Sequence, residues 1–211
     1  MPTTVKPALE IDSQELADAF GIEAVARDEL VPRERVARTT LSIMAHRPKM
    51  WAARMAMISA LQDEGTLPPR LVELMRLRLA FWTQCRSCSA VRFLPEDEVP
   101  EDLVCSLERP SAAPDLSEAE RAVMRFVDLY ASDNTAIDDA LYDGLREHYT
   151  EGELVEIGAW CAEYYGWGRV VATWRIWDDI PASLREAGDS ELISPWSGHE
   201  PLRAPEHLTA R

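Results

Sequence analysis

Residues 67–94 of the chain read LPPRLVELMRLRLAFWTQCRSCSAVRFL. Pro69 suits the first turn of an α-helix, because the amide hydrogen that proline lacks would have no helical partner there. Apolar side chains then recur every three or four residues, which is the spacing of one helix face. They are Leu71, Met75, Leu79 and Trp82. This segment therefore predicts a helix that begins at Pro69 and buries one face.

The same spacing continues on both sides of this segment, while the alternating pattern typical of strands is missing. The pattern predicts further helices at Pro48 to about Gln62 (closed by Gly65), about 118–131, 138–148 and 151–177, with a short one around Leu103 and Leu107. Capping boxes, in which a side-chain oxygen and a carboxylate three residues later satisfy free amides, mark three helix starts. They are Asp12 with Glu15, Ser117 with Glu120, and Thr150 with Glu153. We expect an all-α, single-domain helical bundle.

The residues after 177 lose the helical spacing. Four prolines prevent a long helix there, namely Pro181, Pro195, Pro201 and Pro205. Ile193 and Trp196 nevertheless give this segment apolar side chains to bury. We expect an irregular arm that packs on its own subunit or on a neighbouring one.

The composition excludes some classes of partner. The chain has 211 residues with 22 Lys and Arg against 37 Asp and Glu, a formal charge of −15. Nucleic acids and anionic membranes repel such a surface, so neither is an expected partner. No apolar run approaches the roughly 20 residues of a membrane span, and residues 1–13 lack the apolar core of a secretory signal. A cytoplasmic location is the expectation.

Cys85 and Cys88 are the residues that suggest chemistry. If Thr83 caps a new helix, both cysteines lie in its first turns on one face, at a Cα separation suited to a reversible disulfide. The helix start and a nearby arginine, Arg86 or Arg92, would favour the reactive thiolate. Simple core packing and half of a zinc site are the alternatives, but no second ligand pair follows. Cys105 and Cys161 are predicted to be core residues.

The run from Leu67 to Leu74, the apolar helix after it and the Cys85-x-x-Cys88 pair together resemble the carboxymuconolactone decarboxylase superfamily, in its alkylhydroperoxidase D-like branch. The resemblance covers about residues 35–177. It divides the chain into an N-terminal helical extension (1–34), the family's helical domain (35–177) and an extended C-terminal arm (178–211). It also implies a homo-oligomer, either a trimer or a hexamer.

The same resemblance implies roles for individual residues. The antioxidant members of the branch use a Glu twelve residues before the first Cys and a His four after the second. Glu73 matches the Glu, whereas Arg92 occupies the His position. The resemblance implies that Cys88 attacks a peroxide, that Cys85 resolves the product as a disulfide, and that Glu73 accepts a proton. Arg92 cannot shuttle protons, but its charge can stabilise a thiolate.

Three readings of the function remain open. The preferred one is a thiol-dependent peroxidase that takes electrons from a thiol reductant and needs no metal or organic cofactor. The second is a decarboxylase or lyase of the same fold that acts on a small organic acid, with Arg92 binding the substrate carboxylate. The third is a non-catalytic assembly or binding protein. Glu73 also has two possible interpretations. It is either a buried base or a member of an exposed ionic ladder with Arg70 and Arg76.

The last predicted helix is rich in aromatic residues. Their spacing is most typical of a core or a subunit interface. The alternative is that Tyr164, Tyr165 or Trp167 lines a pocket, where a phenol hydroxyl would orient an organic substrate. Gly166 and Gly168 lie beside them and would let another backbone or a ligand approach closely.

Overall fold

The computed structural model describes residues 3–186 and 201–202. Within these ranges the chain is all-α, as predicted, and its only β contact is an isolated bridge between Val91 and Leu202. The helices are α1 (Gln14–Phe20), α2 (Pro32–Met44), α3 (Pro48–Glu64), α4 (Pro69–Thr83), α5 (Arg86–Ala90), α6 (Glu101–Ser106), α7 (Glu118–Ser132), α8 (Asp139–Arg146), α9 (Glu151–Trp174) and α10 (Ala182–Arg185). The predicted boundary at residue 34 falls inside α2.

Two of the three predicted capping boxes are present. Ser117 and Thr150 each accept a hydrogen bond from the amide three residues later, and the carboxylates of Glu120 and Glu153 bind back to the cap amides. The prediction for α1 was wrong, because the cap is Ser13 and not Asp12. Its Oγ accepts a hydrogen bond from the Leu16 amide at 3.2 Å. The one-residue difference follows from the chain leaving the extended conformation at Ser13.

The helix α4 lies at the centre of the larger core. It packs mainly against α7 and α9, and the same hydrophobic cluster includes residues of α6 and α8. The buried members of this cluster include Leu71, Leu74, Met75, Leu79, Leu103, Val123, Met124, Val127, Leu145, Ile157 and Cys161. The helix was predicted correctly, but the prediction that it buries a single face was wrong, because every residue from Glu73 to Ala80 is buried.

A second, smaller core holds the segment after the cysteines. Ala90 and Val91 at the end of α5 pack against α2, the end of α9 and α10. This cluster comprises Val36, Ile43, Met44, Ala90, Val91, Trp174, Ile176, Trp177, Ile180 and Leu184. The CxxC segment is thus held between the two cores.

The helix α9 ends three residues before its predicted limit. Arg175 adopts the left-handed conformation (φ 55°), which turns the chain so that Ile176 and Trp177 enter the smaller core. The arm is not extended throughout, because α10 forms at Ala182–Arg185. Leu202 pairs with the backbone of Ala90 and Arg92, whereas Ile193 and Trp196 lie outside the described residues. None of the described helices is both long and apolar enough to cross a membrane.

Candidate active site

The two cysteines lie where the chain changes direction between α4 and α5. Gln84 adopts the left-handed conformation (φ 52°) and ends α4, and the Cys85 amide then donates to the Ala80 carbonyl at 3.2 Å. The break therefore occurs where it was predicted, but Thr83 does not cap the new helix. Thr83 is the last residue of α4, where Gly168 of α9 approaches it so closely that an added Cβ would lie 3.0 Å from its Oγ1. Cys85 itself is the cap of α5.

Cys85 and Cys88 form a disulfide, with a Cα–Cα distance of 5.2 Å. The Sγ of Cys85 accepts a hydrogen bond from the Cys88 amide at 3.2 Å and lies 3.7 Å from the Ser87 hydroxyl. The two sulfurs differ in access, because Cys85 is completely buried whereas Cys88 is half-buried. A reagent from solution therefore reaches Cys88 first.

Glu73 forms a buried ion pair with Arg76, which lies one turn later in α4. Nε and Nη2 of Arg76 donate to the two carboxylate oxygens at 2.6 and 2.7 Å. Burial opposes the charge of Arg76, but the attraction of Glu73 outweighs it and raises the pKa of Arg76. Of the two readings of Glu73, the exposed ladder is wrong, since Glu73 is buried and Arg70 pairs with Glu120 instead.

This ion pair is connected to the cysteine segment through backbone groups. Arg76 donates to the Cys88 carbonyl at 2.8 Å and to the Val91 carbonyl at 2.7 Å. Glu73 accepts a further hydrogen bond from the Phe93 amide at 2.9 Å. The pair thereby fixes both ends of residues 88–93, and the Glu73 carboxylate is bound by three donors.

Arg92 is directed to another part of the molecule. Its Nε and Nη2 donate to the Glu101 carboxylate at 2.9 and 3.0 Å, and its Nη1 donates to the Ser89 carbonyl at 2.6 Å. Only 1% of the residue is exposed. In this disulfide form, the guanidinium is paired with Glu101 rather than with either sulfur.

The three aromatic residues considered for substrate binding point in different directions. Tyr164 stacks on Trp160 (ring centroids 5.1 Å apart) and lies near both Glu73 and Arg76, and burial raises the pKa of its hydroxyl. Tyr165 faces α7, where its hydroxyl donates a hydrogen bond to the Ala131 carbonyl. The ring centroid of Trp167 lies 4.7 Å from the guanidinium carbon of Arg54 on α3. Only Tyr164 therefore lies beside the ion pair next to the cysteines.

A second ion pair, not expected from the sequence, joins the half-buried Arg54 of α3 to the buried Glu163 of α9. Arg54 donates to Oε1 of Glu163, which is 2% exposed. Burial raises the pKa of Glu163, although Arg54 opposes the shift. In the described part of the chain, Nε of Arg54 and Oε2 of Glu163 have no hydrogen-bond partner.

The remaining cysteines differ from each other. Cys161 is buried, as predicted, and burial raises its pKa to about 12. The core prediction for Cys105 was wrong, because α6 turns this residue to the surface.

Two clefts, of about 520 and 290 Å³, lie around Asp179 and Cys105 rather than at the disulfide. Within residues 3–186 and 201–202, no group of three His, Cys, Asp or Glu side chains could hold a metal ion.

The comparisons with known proteins agree with this architecture. No protein-family profile matches the sequence, and no curated protein does. A solved structure from Ralstonia eutropha, an uncharacterised peroxidase-related protein with an alkylhydroperoxidase AhpD core, aligns with a TM-score of 0.64 at 19% identity, over 88% of this chain and 96% of that one. The chain has the AhpD-like fold. A protein of unknown function from Agrobacterium tumefaciens, provisionally assigned as the antioxidant defence protein AhpD, aligns with a TM-score of 0.55 at 24% identity, over 63% of this chain and 92% of that one. The predicted resemblance to AhpD-like proteins is confirmed at the level of the fold.

Proposed function

We propose that this chain is a thiol–disulfide oxidoreductase that reduces peroxides through Cys88 and Cys85. The observation that carries this proposal is the disulfide itself, with one accessible and one buried sulfur at the break between α4 and α5. Two thiols at this separation can give up two electrons by closing the disulfide and regain them when it is reduced, without a large backbone movement. The fold is in keeping with the proposal, since the Ralstonia eutropha protein is described as peroxidase-related.

The proposed cycle has three balanced steps. The Cys88 thiolate attacks a peroxide ROOH, which breaks the O–O bond, leaves Cys88 as a sulfenic acid and releases the alcohol ROH after one proton is taken up. The Cys85 thiolate then attacks the Cys88 sulfur, forms the disulfide and releases water as a proton is taken up. A dithiol reductant finally supplies two electrons and two protons and restores both thiols.

The geometry gives Cys85 a specific part in this cycle. The Cys88 amide and the Ser87 hydroxyl both contact its sulfur, and such donors stabilise a thiolate. Cys85 is therefore the better leaving group when a reductant attacks the accessible Cys88 sulfur. The reducing cytoplasm supplies thiol reductants, so it is the location that we propose.

Glu73 and Arg92 take different roles from those expected from the sequence. In the proposal, Glu73 is a positioning residue, because its carboxylate is bound by Arg76 and the Phe93 amide rather than directed at a sulfur. Arg92 ties the end of the cysteine segment to α6 through Glu101. The decarboxylase or lyase alternative depended on Arg92 as a carboxylate ligand, so no described contact favours it.

The direct test is a peroxide titration of the fully reduced protein. We expect one equivalent of cumene hydroperoxide to consume two thiols and to produce the intramolecular Cys85–Cys88 disulfide, identified by peptide mass. With excess dithiothreitol the protein should turn over repeatedly. Thiols that survive an excess of peroxide, under conditions where the protein remains folded, would reject the proposed function.

We also propose that the protein assembles into a trimer or hexamer through α3. None of the 17 residues of this helix is buried in the single chain, although most of its side chains are apolar. Met50 and Met57 are 56% and 45% exposed, and a spacing of seven places them on one face. An apolar helix face left open to water is typical of a subunit interface.

Light scattering of the purified protein should give three or six times the chain mass of 23.8 kDa. The Met57→Glu variant places a charge on this face and is expected to shift the mass toward that of one chain. Arg125→Glu on α7 is the control, because Arg125 is exposed and lies on another helix. A wild-type mass of one chain would contradict the proposed assembly, and so would an unchanged mass for Met57→Glu.

A further inference from the structure

Two arginines lie along the segment that follows the cysteines. The formal charge of the chain is −15, which on its own repels anions. Arg76 binds the Cys88 carbonyl, and the guanidinium of Arg33 on α2 lies 5.6 Å from the ring centroid of Phe93, five residues after Cys88. Glu73 is already paired with Arg76, and Glu34 is close enough to Arg33 to attract it electrostatically. The two arginines and the two glutamates carry equal and opposite charge, so the feature that suits this place to an anionic ligand is the set of unused donors on Arg33.

Arg33 differs from the other arginines of α2. Arg35 pairs with Asp179, and Arg38 donates to the Ile11 and Glu23 carbonyls. No hydrogen bond or ion pair joins Arg33 to any residue in the described ranges, although it is half-buried. Burial, together with repulsion from Arg76, lowers its pKa. Its donors are available to a ligand.

Phe93 connects Arg33 to the cysteine segment. Its ring lies 5.6 Å from the Arg33 guanidinium and 4.3 Å from that of Arg76. The ring remains 50% exposed, while the Phe93 amide is fixed by the Glu73 carboxylate. An exposed aromatic ring held in place between two cations offers a rigid apolar contact next to free hydrogen-bond donors.

We infer that Arg33 and Phe93 form a subsite that selects substrates with an apolar body and a carboxylate group. The guanidinium of Arg33 would bind the carboxylate in a bidentate manner, and the ring of Phe93 would contact the apolar body. This inference rests on the proposed function, because it places the reacting bond of the substrate, a peroxide or a disulfide, at Cys88. The sequence alone gave no indication of this subsite, since residue 33 precedes Cys88 by 55 positions.

Two aromatic disulfides of different charge test the subsite without requiring peroxidase activity. Dithiobis(nitrobenzoate) carries two carboxylates, whereas dithiodipyridine is neutral. In each reaction the Cys88 thiolate attacks the probe and releases one aromatic thiolate; Cys85 then forms the protein disulfide and releases the second. The protein loses two electrons, and the probe gains them.

We expect the Arg33→Met variant to react about 5- to 10-fold more slowly with the anionic probe and within about twofold of wild type with the neutral one. Arg125→Met removes an equal charge from exposed α7 and should leave both rates unchanged. The anionic rate of the wild type should also fall with added salt more steeply than that of Arg33→Met.

Two outcomes would overturn the inference. Equal slowing of both probes would mean that Arg33 acts on the thiolate rather than on the ligand, and unchanged rates with both probes would mean that it does neither. The same variants then distinguish this inference from the proposed function. A wild type that prefers the anionic probe through Arg33 but reduces no peroxide would reject the peroxidase and retain the subsite.

Discussion

The Cys88→Ser variant is expected to lose peroxide reduction by at least about 10³-fold, because a serine hydroxyl at neutral pH cannot replace the thiolate that attacks the O–O bond. The half-buried position of Cys88 makes it the sulfur that a peroxide meets. Stopped-flow measurement of the first turnover, with reduced protein and cumene hydroperoxide, isolates this step from re-reduction.

The Cys85→Ser variant is expected to behave differently in the same measurement. It should consume one equivalent of peroxide at a rate within about tenfold of wild type, because the attacking sulfur remains. Its product should be a sulfenic acid on Cys88 that dimedone traps, since the buried resolving thiol is missing. In the wild type, disulfide formation should compete with this trapping.

Cys105→Ser is the matched control for both variants, because Cys105 is exposed but lies outside the Cys85–Cys88 pair. It should leave both the first turnover and the dimedone labelling unchanged. If Cys88→Ser retained more than a tenth of the wild-type rate, another residue would have to be the nucleophile. Equal loss in the two variants would instead mean that the cysteines do not have separate roles.

The local features of the site could be predicted from the sequence. Thr83, Cys85 and Cys88 indicated a helix break and a closable pair, and the structure contains both. The predicted cap was wrong by two residues, because the left-handed turn occurs at Gln84, a residue type that does not mark such a turn as glycine does. Features set by neighbours in sequence were therefore predictable to within about a turn.

The partners of the charged residues could not be predicted in the same way. Glu73 had arginines three residues away on both sides, and only packing against α7 sends Arg70 to Glu120 and leaves Arg76 for Glu73. The helix also carries Arg78, so the sequence alone did not show which of its arginines pairs with Glu73. The position of Arg92 depends on Glu101, which lies nine residues later in the sequence, at the start of α6.

The largest stability effect is expected from Arg76. Replacing it by methionine removes two of the three donors to the buried Glu73 carboxylate, and also the donors to the Cys88 and Val91 carbonyls. A carboxylate left buried without its partner typically costs about 3–5 kcal/mol. We expect a loss of this size in the free energy of unfolding, measured by urea denaturation of the oxidised protein.

Two further variants separate the ion pair from other effects of losing an arginine. Arg70→Met removes an arginine from the same helix, but its pair with Glu120 is partly exposed to solvent, so we expect a cost of about 1 kcal/mol. The double variant Glu73→Gln, Arg76→Met should recover part of the loss, because it removes the charge that the single variant strands. If Arg76→Met cost no more than Arg70→Met, the buried pair would not be what holds residues 88–93 in place. The disulfide would then have to owe its position to the apolar contacts of Ala90 and Val91 with the smaller core.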